Sequence, residues 1–191
     1  MFDSQTGFKE ALENKATFPE DKEESFDVLL EWVHMDNVRE WGGKSDIFAL
    51  YALGDKLCLP DFQDTVIDRI RTYHRENKKL QTFKGIGAEY NAAPPGSGLR
   101  LYLLRSILYS LKLKEMIEGG DSKGDFGFKV DDLEEALLES EDLRKDFLRG
   151  VRGYVISRLD LKNPSQGDDC EYHCHDREGP CSREKRSFLT S

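Results

Sequence analysis

The side chains best suited to chemistry sit near one end of the chain, in Cys170-Glu171-Tyr172-His173-Cys174-His175, with Cys181 a short way beyond. Zinc takes four nitrogen or sulfur ligands in a tetrahedral array, and three thiolates with one imidazole satisfy it. Cys170, His173, Cys174 and Cys181 form such a set, with His175 as the alternative imidazole. Three residues separate Cys170 from Cys174, a spacing usual for a ligand pair. A strong zinc motif carries a second well-spaced pair, and its absence here favours an unligated tail. Zinc is therefore the one candidate cofactor.

Catalytic constellations are weaker. Cys58 and His74 could in principle form a thiol–imidazole pair, but Cys58 lies in the apolar Leu57-Cys58-Leu59-Pro60 turn, where a buried thiol is expected. His74 stands among basic neighbours, which disfavour a shared proton, so it reads as a surface histidine. His34, beside Val33, reads as a helix-end residue. Gly85-Ile86-Gly87 lacks the third glycine of a dinucleotide loop and follows no strand pattern. Asp131-Asp132 and Glu134-Glu135 suit a helix start and a solvated face, and Arg183, Lys185 and Arg186 are interrupted by Glu184. No nucleophile, base and oxyanion-donor set emerges, which argues for a non-enzyme.

The elements that would position these groups are helical. Phe26, Leu29, Leu30 and Val33 follow the spacing of an amphipathic helix, with Trp32 beside the stripe and Trp41 in the polar loop that follows. Ser45 is placed to cap the next helix, which carries Ile47, Leu50, Tyr51 and Leu57. Gly54 falls on its apolar face, and close approach of a neighbouring helix is the reason to keep a glycine there. Pro60 suits a first helical position, and Phe62, Val66, Ile70 and Tyr73 mark the buried stripe of the third helix. Ser97 is placed to cap a helix with Leu101, Leu104, Leu108 and Leu111 on one face. Asp131 with Glu134 fits a capping box, and Leu143, Phe147, Val151 and Tyr154 form a further stripe. A short helix over 7–14 and a brief strand at Ala16-Thr17-Phe18 are also expected. The glycine- and proline-bearing stretch 85–98 and the glycine-bearing stretch 119–127 read as connectors.

These patterns divide 191 residues into a helical unit over 1–80, a linker over 81–98, a helical extension over 99–162 and a disordered Cys/His tail over 163–191. The fold class is mainly α. A formal charge of -9 disfavours nucleic acid and anionic membranes as partners, because phosphate binding depends on Lys and Arg. No secretory signal and no apolar run of membrane-spanning length is visible, which points to the cytoplasm or nucleus.

The sequence FKEA, then FPED, SFDVLLEWV and LYALGDKLCLPDFQD, resembles the helical half of a BTB/POZ domain. LPDFQDTVIDRI running on to NAAPPGSGLRLYLLRS is similar to short fungal BTB proteins, and the likeness covers 8–73 and, more loosely, 94–158. It implies the helical half of an α+β fold with little sheet remaining, an N-terminally truncated domain, and a role in binding proteins. Such partners would be the protein itself, a transcription regulator, or a cullin scaffold for which the chain would act as substrate adaptor. A zinc-dependent nucleic-acid binder acting through the tail is the alternative from another class.

Overall fold

The computed structural model describes residues 17–35, 38, 46–78, 81–118, 129–157, 161–167 and 169–174. Seven helices occupy them: α1 (Glu23–Met35), α2 (Ile47–Lys56), α3 (Pro60–Glu76), α4 (Ile86–Ala92), α5 (Gly98–Glu118), α6 (Val130–Glu139) and α7 (Glu141–Ser157). One 3-10 turn follows at Asp169–Tyr172. No strand occurs among the described residues, so the chain is mainly α. Thr17 and Phe18 are irregular, and the helix expected over 7–14 lies outside the described residues.

The capping residues shift by a place or two from those the sequence suggests. Asp46, not Ser45, caps α2, its carboxylate accepting from the amides of Phe48 and Ala49. Ser97 caps α5 as expected, its hydroxyl accepting from the Arg100 amide at 3.3 Å. Asp131 lies inside α6 rather than at its cap, where it complements the positive helix end. Ser140 does the capping work between α6 and α7, accepting from the Leu143 amide at 3.1 Å while donating to Asn91 Oδ1 at 2.6 Å.

Helices α2 and α3 form a tight hairpin, and Gly54 is the reason they close. A Cβ there would lie 2.9 Å from Gln63 Cγ and 3.1 Å from Phe62 Cδ1. Gly54→Val is therefore expected to destabilise the chain by about 1–3 kcal/mol in urea melts, through overpacking at a site with no spare room. A melt unchanged from wild type would show that the hairpin can part.

The stretch expected as a linker is part of the core. Phe83, Ile86, Tyr90 and Ala93 are buried, and α4 packs on α2, α5, α6 and α7. Two of its glycines serve geometry rather than flexibility. Gly85 takes the left-handed conformation (φ 78°) that starts α4. A Cβ on Gly87 would meet Ala136 O at 2.9 Å, so α6 approaches to backbone distance. One continuous apolar cluster consequently runs from Leu29 through α2–α6 to Leu143 and Tyr172.

Two apolar stripes are out of phase with expectation. On α1, Leu29 is buried and Trp32 packs on Phe62, while Leu30 and Val33 face outward. On α5, Leu108 is buried as the stripe requires, but Leu99, Tyr102, Leu103 and Ile107 are fully buried while Leu101 and Leu104 are only partly covered. In both cases the helix turns its larger ring-bearing face to the core, because an aromatic side chain removes more apolar area from water than a leucine.

Candidate functional site

The segment 161–174 carries three of the expected ligands and is where the chain departs most from its expected disorder. Its backbone is irregular apart from the 3-10 turn, yet it lies packed on α3 and α5. Arg71 of α3 is the anchor. Its side chain is 1% exposed, and its guanidinium donates to the carbonyls of Pro164 (3.1 Å) and Gly167 (2.9 Å) while lying 4.8 Å over the Tyr172 ring. A buried cation needs such acceptors, since removing water from it is costly unless its donors are satisfied. Tyr172 is buried edge-on against Tyr102, and Arg105 of α5 pairs with Glu171.

His173 and Cys174 are brought together, but each is taken by a group on the α2–α3 hairpin. Asp64 and Asp68 sit one turn apart on α3, so both carboxylates reach the same side chain. His173 Nε2 is 3.1 Å from Asp68, and its other ring nitrogen is 3.9 Å from Asp64. The Cys174 amide donates to Asp64 at 2.7 Å. Its Sγ lies 3.5 Å from the Tyr51 hydroxyl and 3.6 Å from Gln63 Oε1. Although the residue as a whole is exposed, burial of the thiol pushes it up to about 11, so it is protonated at neutral pH. A zinc ligand or a nucleophile must be a thiolate. Cys170 faces a different region, a cleft of about 690 Å³ lined by Leu101, Leu104, Leu108, Gly150 and Pro164 among others. Among the described residues no three His, Cys, Asp or Glu side chains converge on a metal position, and His175 and Cys181 lie outside those residues.

Cys58 and His74 exchange the places expected of them. Cys58 is exposed at the α2–α3 turn, with φ at 53°. His74 is buried, its Nδ1 2.6 Å from the Tyr102 hydroxyl and its ring stacked on the Tyr102 ring. They lie at opposite ends of α3, roughly 24 Å apart at 1.5 Å per residue, and share no proton.

Among the described residues large apolar side chains are exposed on α1, α6 and α7, with Val130 and Leu138 of α6 at 55% and 72%. On α1, Leu30, Val33 and Met35 are 55%, 60% and 47% exposed; on α7, Leu148, Val155 and Ile156 are 61%, 67% and 69% exposed. Of the segments that carry the sequence likeness, Phe8-Lys9-Glu10-Ala11 lies outside the described residues. Among the described residues no helix is long and apolar enough to cross a membrane. No protein-family model, curated protein or solved structure matches this chain.

Proposed function

We propose that this chain is a non-catalytic protein-interaction module of BTB/POZ type, working in the cytoplasm or nucleus. The observation that carries this reading is the exposure of large apolar side chains on α1 and α7 beside a continuous buried core. Fully burying one Leu or Val side chain is worth about 1.5–3 kcal/mol. A few such residues on one helix therefore give a partner helix enough to dock on. Chemistry is poorly served by these described residues: the Cys174 thiol is pushed up to about 11, and the buried imidazole of His74 is committed to Tyr102.

The α1 face tests the proposal. Tagged wild type and a Leu30→Glu/Val33→Glu variant, recovered from the native cell under gentle conditions, are compared by mass spectrometry of what co-purifies. Both substituted positions are exposed, so the variant should melt like wild type. Loss of a co-purifying protein by tenfold or more in the variant is the expected result. Equal recovery of every partner by a correctly folded variant would remove the α1 face from the proposal.

A further inference from the structure

The exposed apolar faces of α1 and α7 differ in charge, and that difference points to what each one fits. Between Glu23 and Met35, α1 carries Glu23, Glu24, Asp27 and Glu31 and has no Lys or Arg. Glu23, Glu24 and Asp27 are exposed, along with Leu30 and Val33. At about 100° per residue, Glu23, Asp27 and Leu30 fall on one side of the helix, with Val33 at its edge.

Helix α7 has the opposite character. Over Glu141–Ser157 it carries Arg144, Lys145, Arg149 and Arg152 against Glu141, Asp142 and Asp146; Lys145 pairs with Glu141 at 2.8 Å, Arg149 with Asp146 at 2.9 Å and Asp142 with Arg100, which leaves the charges of Arg144 and Arg152 in excess. All four cations are exposed. Leu148, Arg152, Val155, Lys145 and Arg144 lie within about 100° of arc, with Glu141 paired to Lys145 on the same arc, and Ile156 borders them. Asp146 is turned away, accepting from the Tyr90 hydroxyl at 2.7 Å. This face thus keeps a basic excess, at Arg144 and Arg152, in a chain of net charge -9. It is also apolar at its centre, which a merely solvated face would not be.

We propose that the α7 face of one molecule docks on the α1 face of a second copy of this chain. Leu148, Val155 and Ile156 would pack against Leu30 and Val33, with Arg144 and Arg152 beside Glu23 and Asp27. The claim rests on the interaction reading above and gives it a partner. Since unlike faces meet, the contact is heterologous: it extends into chains or closes a ring, rather than forming a two-fold dimer. Exposed charges steer and select, while the small apolar patch holds, so the association is weak and weakens with salt.

The test is sedimentation of the full chain across a concentration series, at low salt and at about 0.5 M salt, where screening is nearly complete. Mass should rise with concentration at low salt and fall back at high salt. Arg144→Glu/Arg152→Glu and Glu23→Lys/Asp27→Lys should each associate at least about tenfold more weakly alone. Mixed in equal amounts they should regain association, because one original and one reversed charge pairing are then available. A wild type that is monomeric throughout at low salt overturns the inference, as does a mixture that fails to recover. Pelleting of a monomeric wild type with anionic vesicles, abolished by Arg144→Glu/Arg152→Glu, would assign α7 to lipid and also overturn it. If either variant loses helicity, the wild-type concentration and salt series still decides. A monomeric chain that nevertheless loses a different protein on Leu30→Glu/Val33→Glu sinks this inference alone and leaves the interaction module standing.

Discussion

Gly98→Ala is expected to unseat residues 161–174 and to lower stability by about 3 kcal/mol or more, an effect unusual for so small a change. A Cβ on Gly98 would overlap the Tyr172 carbonyl oxygen and lie 3.0 Å from its Cα. The obstacle is backbone on both sides, so no side-chain rotation relieves it. Leu99, Tyr102 and Leu103 fix the start of α5 in the core, which leaves the docked segment as the part that must move. Tyr172 would then leave its site against Tyr102 and Arg71, and truncating a buried aromatic typically costs about 3–5 kcal/mol. Arg71 would lose the Pro164 and Gly167 carbonyls and stay behind as a buried cation short of acceptors. Hydrogen exchange over 161–174 should therefore rise sharply. In a Cys58→Ser background, Cys174 should react faster with a thiol reagent, because its sulfur would leave Tyr51 and Gln63. Exchange in that segment equal to wild type, with melting unchanged, would mean that α5 and the segment part without loss.

That segment shows what the sequence could and could not display. Local signals were readable: Pro60 opens α3, Ser97 caps α5 and Gly54 lets α2 and α3 close. Each depends on residues within a few positions or on one neighbouring helix. The order of 161–174 depends instead on Arg71, more than ninety residues away, and on side chains of α3 and α5 that no period in the segment announces. Its lack of apolar periodicity was real, since turns and one 3-10 turn are all the regular structure it holds. Helix α4 was hidden for a different reason. Gly85, Gly87 and Pro94-Pro95 look like breakers, but Gly85 supplies a left-handed helix start and Gly87 admits the α6 backbone.

The phase of α3 misled in a way that matters for the site. Phe62, Val66 and Ile70 are buried as the stripe requires, but the stripe continues to His74 rather than to Tyr73, which is 46% exposed. Gln63, Asp64, Ile67 and Arg71 are buried too. A helix covered on one face by α2 and on another by α5 and the 161–174 segment has a broad buried arc, and polar residues within it look like surface when read by period alone. The candidate ligand His173 was therefore legible as a residue, while its carboxylate partners Asp64 and Asp68 were not.

The buried histidine that this phase produces makes stability depend on acid. From pH 7 to pH 4 the His74 site is expected to contribute a loss of roughly 3 kcal/mol. Burial lowers His74 to about 4 from an ordinary value of 6.5. The unfolded chain thus binds a proton between those values that the folded chain refuses. Stability from this group is complete above 6.5 and drains away as pH falls towards 4. Burial, with the Asp46 charge second, pushes Glu89 the other way, up to about 8, so its contribution is present below 4.5 and lost as pH rises to 8. Between 4.5 and 6.5 the two oppose each other, and the wild-type curve alone would conceal both. His74→Gln retains an acceptor for the Tyr102 hydroxyl and removes the titration. The difference between wild-type and variant stabilities, from urea melts at several pH values, isolates His74 because Glu89 and the surface carboxylates cancel. That difference should move by roughly 3 kcal/mol in favour of the variant on acidification; parallel curves would mean that His74 titrates normally. The consequence reaches the docked segment. A protonated His74 donates at both ring nitrogens, so its contact with Tyr102 holds only if that hydroxyl turns its proton elsewhere, and Tyr102 is the ring against which Tyr172 is held edge-on. Mild acid should therefore raise hydrogen exchange over 161–174 before it does so in the α2–α3 hairpin, and His74→Gln should abolish that order of events.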